Sequence, residues 1–214
     1  MKKISAFLLA FTIFAQVAFA QNDPKAGGIL EAMSQKYQSM KVFNALFTQT
    51  LENSNNKLKE TMQGDITVSG NKFRLKLKDQ EIINNGTTIW TFMKSENEVN
   101  ISDNDPDEQQ MSPNAIFSLY KKGYKYNFVN EIKEAGQTYN IIDLAPENKN
   151  NQVYKVRLQI NKKDNAIKSW TMFRSNGNRY VYTIKQFNPN PSVEANYFAF
   201  DKSKYKDVKV IDLR

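Results

Sequence analysis

The stretch LKETMQGDITVSGNKFRLKL, residues 58–77, decides the fold. Leu58, Met62, Gly64, Ile66 and Val68 share one parity, with Glu60 the single polar exception. Lys59, Thr61, Gln63, Asp65 and Thr67 fill the other parity, and all are polar. Successive side chains leave a pleated chain on opposite sides, so a period of two marks a strand with one dry and one wet face. Gly70-Asn71 then supplies a turn, after which Phe73, Leu75 and Leu77 alternate with Arg74, Lys76 and Lys78. Two half-wet strands joined by such a turn read as an antiparallel hairpin.

The same alternation extends in both directions. Upstream, Phe43, Ala45, Phe47 and Leu51 share a parity, with Gln49 among them. Downstream, Tyr154, Val156, Leu158 and Ile160 alternate with Lys155, Arg157 and Gln159. Turn signals separate the runs: 53–56, Asn84-Asn85-Gly86, 148–151, Asp164-Asn165 and Asn176-Gly177-Asn178. Strands about ten residues apart with such turns predict a meander. Ahead of it, Asp23-Pro24 is a helix-start signal. Ile29, Leu30, Met33, Tyr37 and Met40 then fall on one face, which predicts an amphipathic helix over 25–40. Ser112-Pro113 opens a second, short helix with Ile116, Phe117 and Tyr120. No repeat or linker interrupts residues 21–214, so they read as one mainly β (α+β) domain. Its expected content is a single large antiparallel sheet of about nine to eleven strands with a few helices.

Residues 1–20 read as an address. Lys2 and Lys3 precede an apolar run to Phe19, and Ala18-Phe19-Ala20 places small residues for a cut before Gln21. That is the three-part pattern of a secretory signal peptide, and the run is short for a membrane anchor. A soluble, exported protein is the expectation, with the periplasm as its compartment.

Composition removes whole classes of chemistry. The 214 residues contain no His and no Cys. A disulfide, a thiolate nucleophile, an imidazole base, a Ser-His-Asp triad and His- or Cys-ligated zinc are all excluded. A processed N-terminal Cys, needed to make the protein itself a lipoprotein, is excluded too. With 30 Lys and Arg against 22 Asp and Glu, the formal charge is +8. For an exported chain this points to acidic headgroups or acidic partner surfaces and not to nucleic acid.

A long sheet with one greasy face needs a cover, and two short helices supply little. Either the sheet closes on its own side chains, or it curls and leaves a space. The dry face carries Phe47, Met62, Phe73, Leu75, Leu77, Trp90, Phe92, Trp170 or Phe173, and Tyr182. A packed core and a ligand cavity bury the same face, so periodicity leaves both open.

One ordered series of residues carries a resemblance. A helix is followed by Phe47-Thr48-Gln49, then Gly64-Asp65-Ile66-x-Val68, then Lys72-Phe73-Arg74. Ile82-Ile83-x-x-Gly86-x-x-Ile89-Trp90-x-Phe92 and Pro113-x-x-x-Phe117 come next. Leu144-x-Pro146, the 155–160 strand, Gly177-Asn178 and Asn196-Tyr197-Phe198-Ala199-Phe200 close the chain. This series resembles the periplasmic outer-membrane lipoprotein carrier family (LolA) over about residues 25–211. The resemblance implies an unclosed half-barrel capped by a helical lid, with a hydrophobic cavity between them. It implies a non-enzymatic carrier with no cofactor and no metal. Its partners would be triacylated lipoproteins, an ATP-driven lipoprotein-releasing complex of the inner membrane, and an acceptor lipoprotein or the surface of the outer membrane. A monomer is the expected state. The alternative reading is a lipid- or lipoprotein-sensing binding protein of the same fold without a transport role.

On this reading the acyl-binding wall is expected from Phe47, Met62, Phe73, Leu75, Leu77, Ile82, Trp90, Phe92 and Leu158. The lid is expected from Leu30, Met33, Tyr37, Ile116, Phe117 and Tyr120, with Met62, Met93 and Met172 as adaptable side chains against disordered chains. One departure stands out. The best-known members carry an Arg just after the Gly-Asp strand that bonds the lid, whereas Ser69 or Gly70 stands there in this chain. Arg74 is near, but its parity puts it on the wet face, so gating by that Arg is not carried over.

Other chemistry finds less support. Asp103-Asn104-Asp105-Pro106-Asp107-Glu108 resembles the start of a calcium loop but lacks the sixth-position Gly, and Asn114 stands where a bidentate Glu is needed. A two-carboxylate glycosidase needs no His, yet nothing selects a pair among the acids. An adhesion module would put aromatics on the wet face, and here they sit mostly on the dry one.

Overall fold

The computed structural model describes residues 22–53, 57–105 and 115–214. The 1–20 leader, most of the 53–56 turn, the Ser112-Pro113 helix start and the end of the acidic loop lie outside the described residues. The first helix, α1, spans Pro24–Gln38. The Asp23 carboxylate accepts from the backbone N–H groups of Lys25 and Ala26 at 2.8 and 3.3 Å. Pro24 takes the first helical position, where a missing N–H costs nothing. Ala26, Leu30, Met33 and Tyr37 form its buried stripe.

The strands are β1 (Phe43–Asn53), β2 (Leu58–Ser69), β3 (Lys72–Leu77), β4 (Gln80–Asn84), β5 (Thr88–Met93) and β6 (Glu98–Asp103). They continue with β7 (Tyr124–Glu134), β8 (Gln137–Pro146), β9 (Val153–Asn161), β10 (Ile167–Arg174), β11 (Asn178–Pro189) and β12 (Lys209–Asp212). Among the described residues they make one 12-stranded sheet in the order β12-β6-β5-β4-β3-β2-β1-β11-β10-β9-β8-β7. Two antiparallel meanders, β1–β6 and β7–β11, meet where β1 pairs with β11. The ends of the order, β12 and β7, do not pair with each other, so the sheet stays open.

The strand count exceeds the sequence expectation through β12, which pairs in parallel with β6 after a crossover. Alternation and turn signals announce hairpins, and a four-residue parallel strand carries neither. The expected second helix is two 3-10 turns in the described residues, Ala115–Phe117 and Leu119–Lys121. Ser118 between them is extended in φ, at −132°, which prevents a continuous α-helix.

One face of the sheet buries the larger core. It joins α1 and the 3-10 turns to Phe43, Ala45, Phe47, Ile66, Val68, Phe73 and Leu75 on one meander. On the other meander it holds Ile142, Leu144, Val156, Leu158 and Ile160. The opposite, convex face carries a smaller core, Phe92, Val99 and Val208, packed by Trp90, Phe200 and Tyr205.

Candidate functional site

Strand register arranges the concave face in rows. Phe43, Val68 and Phe73 form the first, and Ala45, Ile66, Leu75 and Ile82 the second. Ile184, Phe47, Gly64 and Leu77 make the third, and Trp170, Tyr182, Gln49 and Met62 the fourth. Met172, Tyr180, Leu51 and Glu60 complete the series. Gly64 is required in the third row. A Cβ there would collide with the Phe47 ring, which lies over the glycine.

A cavity of about 300 Å³ lies between these rows and the cover. Phe47, Leu75, Leu77 and Ile82 form one wall, and Trp170, Met172, Tyr182 and Ile184 form the other. Tyr37, Ile116, Phe117 and Leu119 close it from above. Gln49 and Gln80 are its polar side chains besides the tyrosine hydroxyls, and no charged side chain among the described residues lines it. Burial pushes the Tyr37 hydroxyl up to about 12, and its oxygen accepts from the Ile167 N–H at 3.0 Å. Burial likewise raises Tyr182, whose ring stacks on Trp170 with centroids 4.7 Å apart. Both phenols stay neutral at physiological pH, so the site offers shape and dryness and no acid or base near neutrality.

The expected wall residues divide into four groups. Phe47, Leu75, Leu77 and Ile82 line the cavity. Phe73 and Leu158 are buried in the adjoining core and do not reach it. Met62 shares the concave face and a row with Gln49, Tyr182 and Trp170, but does not line the cavity and is 39 % exposed. Trp90 and Phe92 do not line it, because they occupy the convex face. Ile82 pairs with Thr91, so Thr91 continues the concave row and its neighbours point away. Trp90 and Phe92 face outward because the segment holding Phe200, Tyr205 and Val208 covers them there. Of the lid residues, Tyr37, Ile116 and Phe117 touch the cavity, while Leu30, Met33 and Tyr120 are buried in the core beside it. Ile184 and Phe187 were absent from the sequence expectation. Pairing Phe47 with Ile184 becomes visible only once β11 is known to lie beside β1.

The geometry answers how the cover is held without the absent Arg. Phe117 stacks on Tyr37 with centroids 4.1 Å apart and meets Phe43 edge-on at 5.3 Å. Glu31 accepts from the Tyr120 hydroxyl at 2.6 Å and pairs with Lys121 at 3.2 Å. α1 itself is tied at both ends. Asp23 accepts from the Phe128 N–H at 2.8 Å, and Lys36 bonds the Asp164 carbonyl at 3.0 Å. Arg74 is on the convex face, as its parity requires. It pairs with Glu81 at 2.6 Å and bonds the Tyr197 carbonyl at 2.9 Å.

Residues 38–201 match the family described as outer membrane lipoprotein carrier protein LolA. The chain belongs to the LolA family. No curated protein matches it. An uncharacterized conserved protein from Thermus thermophilus superposes with a TM-score of 0.58 at 12 % identity, covering 88 % of this chain and 99 % of its own. A DUF1329 family protein from Desulfovibrio piger gives 0.50 at 11 %, over 87 % and 100 %. A LolA superfamily protein from Nitrosomonas europaea gives 0.46 at 12 %, over 82 % and 98 %. At such identities the likeness to the first two is one of fold. The LolA-family fold of this chain is thus an open sheet with its cavity on the concave side. Among the described residues, no helix is long and apolar enough to cross a membrane.

Proposed function

We propose that this protein is a non-enzymatic periplasmic carrier that hides the acyl chains of lipoproteins in the concave cavity and shuttles them from the inner to the outer membrane. The uncharged, largely apolar lining of the cavity carries this reading. Acyl chains leave water with about 0.8 kcal/mol per buried methylene, so a carrier needs dryness more than directed bonds. Triacylated lipoproteins are the cargo, received from an ATP-driven inner-membrane complex and passed to an acceptor lipoprotein or to the outer membrane.

At about 300 Å³ the cavity stands at the small end of ligand pockets, which run to about 1,000 Å³. Three long chains need more room, so loading requires the cover to part. The 115–121 segment is the element that moves, because aromatic stacking and the Glu31 contacts hold it while α1 is anchored at both ends.

A titration with an environment-sensitive fatty-acid probe tests the site. The native chain binds the probe, and Leu77→Asp, which puts a carboxylate on the wall, abolishes binding. Mass spectrometry of protein purified from the periplasm tests the cargo, with acylated peptides co-purifying. Probe binding undiminished in Leu77→Asp, or purified protein carrying no acylated peptide, overturns the reading.

A further inference from the structure

The concave face does not stop where the cavity stops. Along β2, only Gly64–Ser69 pair with β3, so the first half of β2 extends past this neighbour. Residues 58–63 are exposed or half-exposed, while residues 64–68 are largely buried. Along this extension the dry face continues from Met172, at the rim of the cavity, through Met62, Leu51 and Tyr180 to the end of the sheet. The apolar lining therefore opens as a ramp at the end where β1, β8 and β10 finish and β2, β9 and β11 begin.

That end has its own chemistry. Lys155 sits 4.3 Å from the Phe173 ring centroid, with the Arg179 guanidinium 5.5 Å from the same ring. Arg174, next after Met172 on the concave face, lies 5.3 Å from the Tyr180 ring. Tyr154 projects beside Phe173 and is 53 % exposed. Lys57 and Lys59 add charge from the start of β2. The carboxylates close by are Glu52, paired with Lys59 at 3.6 Å; Glu60, on the ramp; Glu147, exposed in the β8–β9 turn; and Asp143, which holds Arg157 at 2.7 Å and meets Lys155 at 4.0 Å. The cations remain in excess. Cations interleaved with half-exposed aromatic rings are the composition that settles at a lipid–water boundary, rings at headgroup depth and charges on phosphates.

We propose that this open end is the surface by which the protein docks on an anionic phospholipid bilayer, with the ramp facing the acyl region. The inference deepens the carrier reading by naming where cargo crosses between membrane and cavity. The sign of the charge, the aromatic interleaving and the continuity of the ramp with the cavity all point to the same occupant.

Co-sedimentation of the mature chain with vesicles tests it. Binding is expected to phosphatidylglycerol-containing vesicles, weaker to pure phosphatidylcholine, and lost as salt rises. Lys155→Glu and Arg179→Glu, both on the convex side of the ramp, each weaken it by about fivefold or more. Lys72→Glu and Lys163→Glu, at turns of the opposite end, make the same charge change and leave it intact. Equal loss in both sets means that net charge alone attracts the protein, and overturns the proposal. So does absence of binding to anionic vesicles, the outcome expected if this end meets a protein partner instead. The fatty-acid probe is read in parallel. Probe binding kept while vesicle binding fails removes the docking surface and leaves the cavity, and the converse removes the carrier reading alone.

Discussion

The two apolar clusters begin from the same sequence pattern and end differently. On the convex face, Phe92, Val99 and Val208 are closed over by rings that fit row to row. Tyr205 lies 4.6 Å from both Phe92 and Phe200 by ring centroid. The space left beside them, near Arg74 and Tyr197, is about 20 Å³, room for a single water at most. On the concave face the cover is a helix that packs chiefly toward β7. Its Leu30 and Met33 are buried in the core there, while the part over β1–β4, β10 and β11 keeps the cavity. Alternation decides that a face is buried. What lies across it decides whether the result is a core or a container.

Mutations can break this contrast. The largest stability effect is expected from Phe92→Ala, which empties a filled site. A loss of about 3–5 kcal/mol in unfolding free energy, measured by urea titration, should leave fatty-acid probe affinity unchanged. A fall in affinity of the refolded variant would show that the convex core shapes the cavity. Gly64→Ala does the reverse. The Phe47 ring must shift off the new methyl group, at a cost of about 1–3 kcal/mol, and probe binding weakens because the ring forms the wall.

The smallest effect is a pH dependence peculiar to the convex side. Burial opposes ionisation of Glu81, but Arg74's hydrogen bond and charge outweigh it and hold the carboxyl below the ordinary range. A carboxyl depressed in the folded state stabilises above its unfolded value of about 4.3. That contribution is lost as pH falls through the folded value. Urea midpoints of the native chain should therefore drop more between neutral pH and pH about 3 than those of Glu81→Gln. Equal drops would mean that the pair adds no pH-linked stability.

How much of this was legible in the sequence follows the same division. The hairpin of residues 58–77 named its dry face correctly, and Leu75 and Leu77 stand on it with Ile66 and Phe47. The cap at Asp23-Pro24 starts the helix where the sequence places it. Trp90 and Phe92 were misplaced because Ile89-Trp90-Thr91-Phe92 has bulky residues on both parities. Only the pairing of Ile82 with Thr91 chooses between them. The residues that cover the convex face come more than a hundred positions later, and local pattern carries no trace of that encounter. Met62 was read on the right face but lies on the part of β2 that β3 does not flank, since a period of two says which side a residue occupies and not how far its neighbours extend. Ile184 and Phe187 depend on the β1–β11 pairing, which is long-range in the same way.

That pairing also governs how the chain reaches its final form. β1 and β11 lie side by side at the middle of the sheet, although one meander is translated well before the other. Contacts so distant along the chain must wait for a large loop to close, and folding slows accordingly. Until the last meander arrives, β1 presents an unsatisfied hydrogen-bonding edge beside an uncovered greasy surface. A sheet with so large an apolar face therefore needs sheltering during its first moments, against sticking to its own copies.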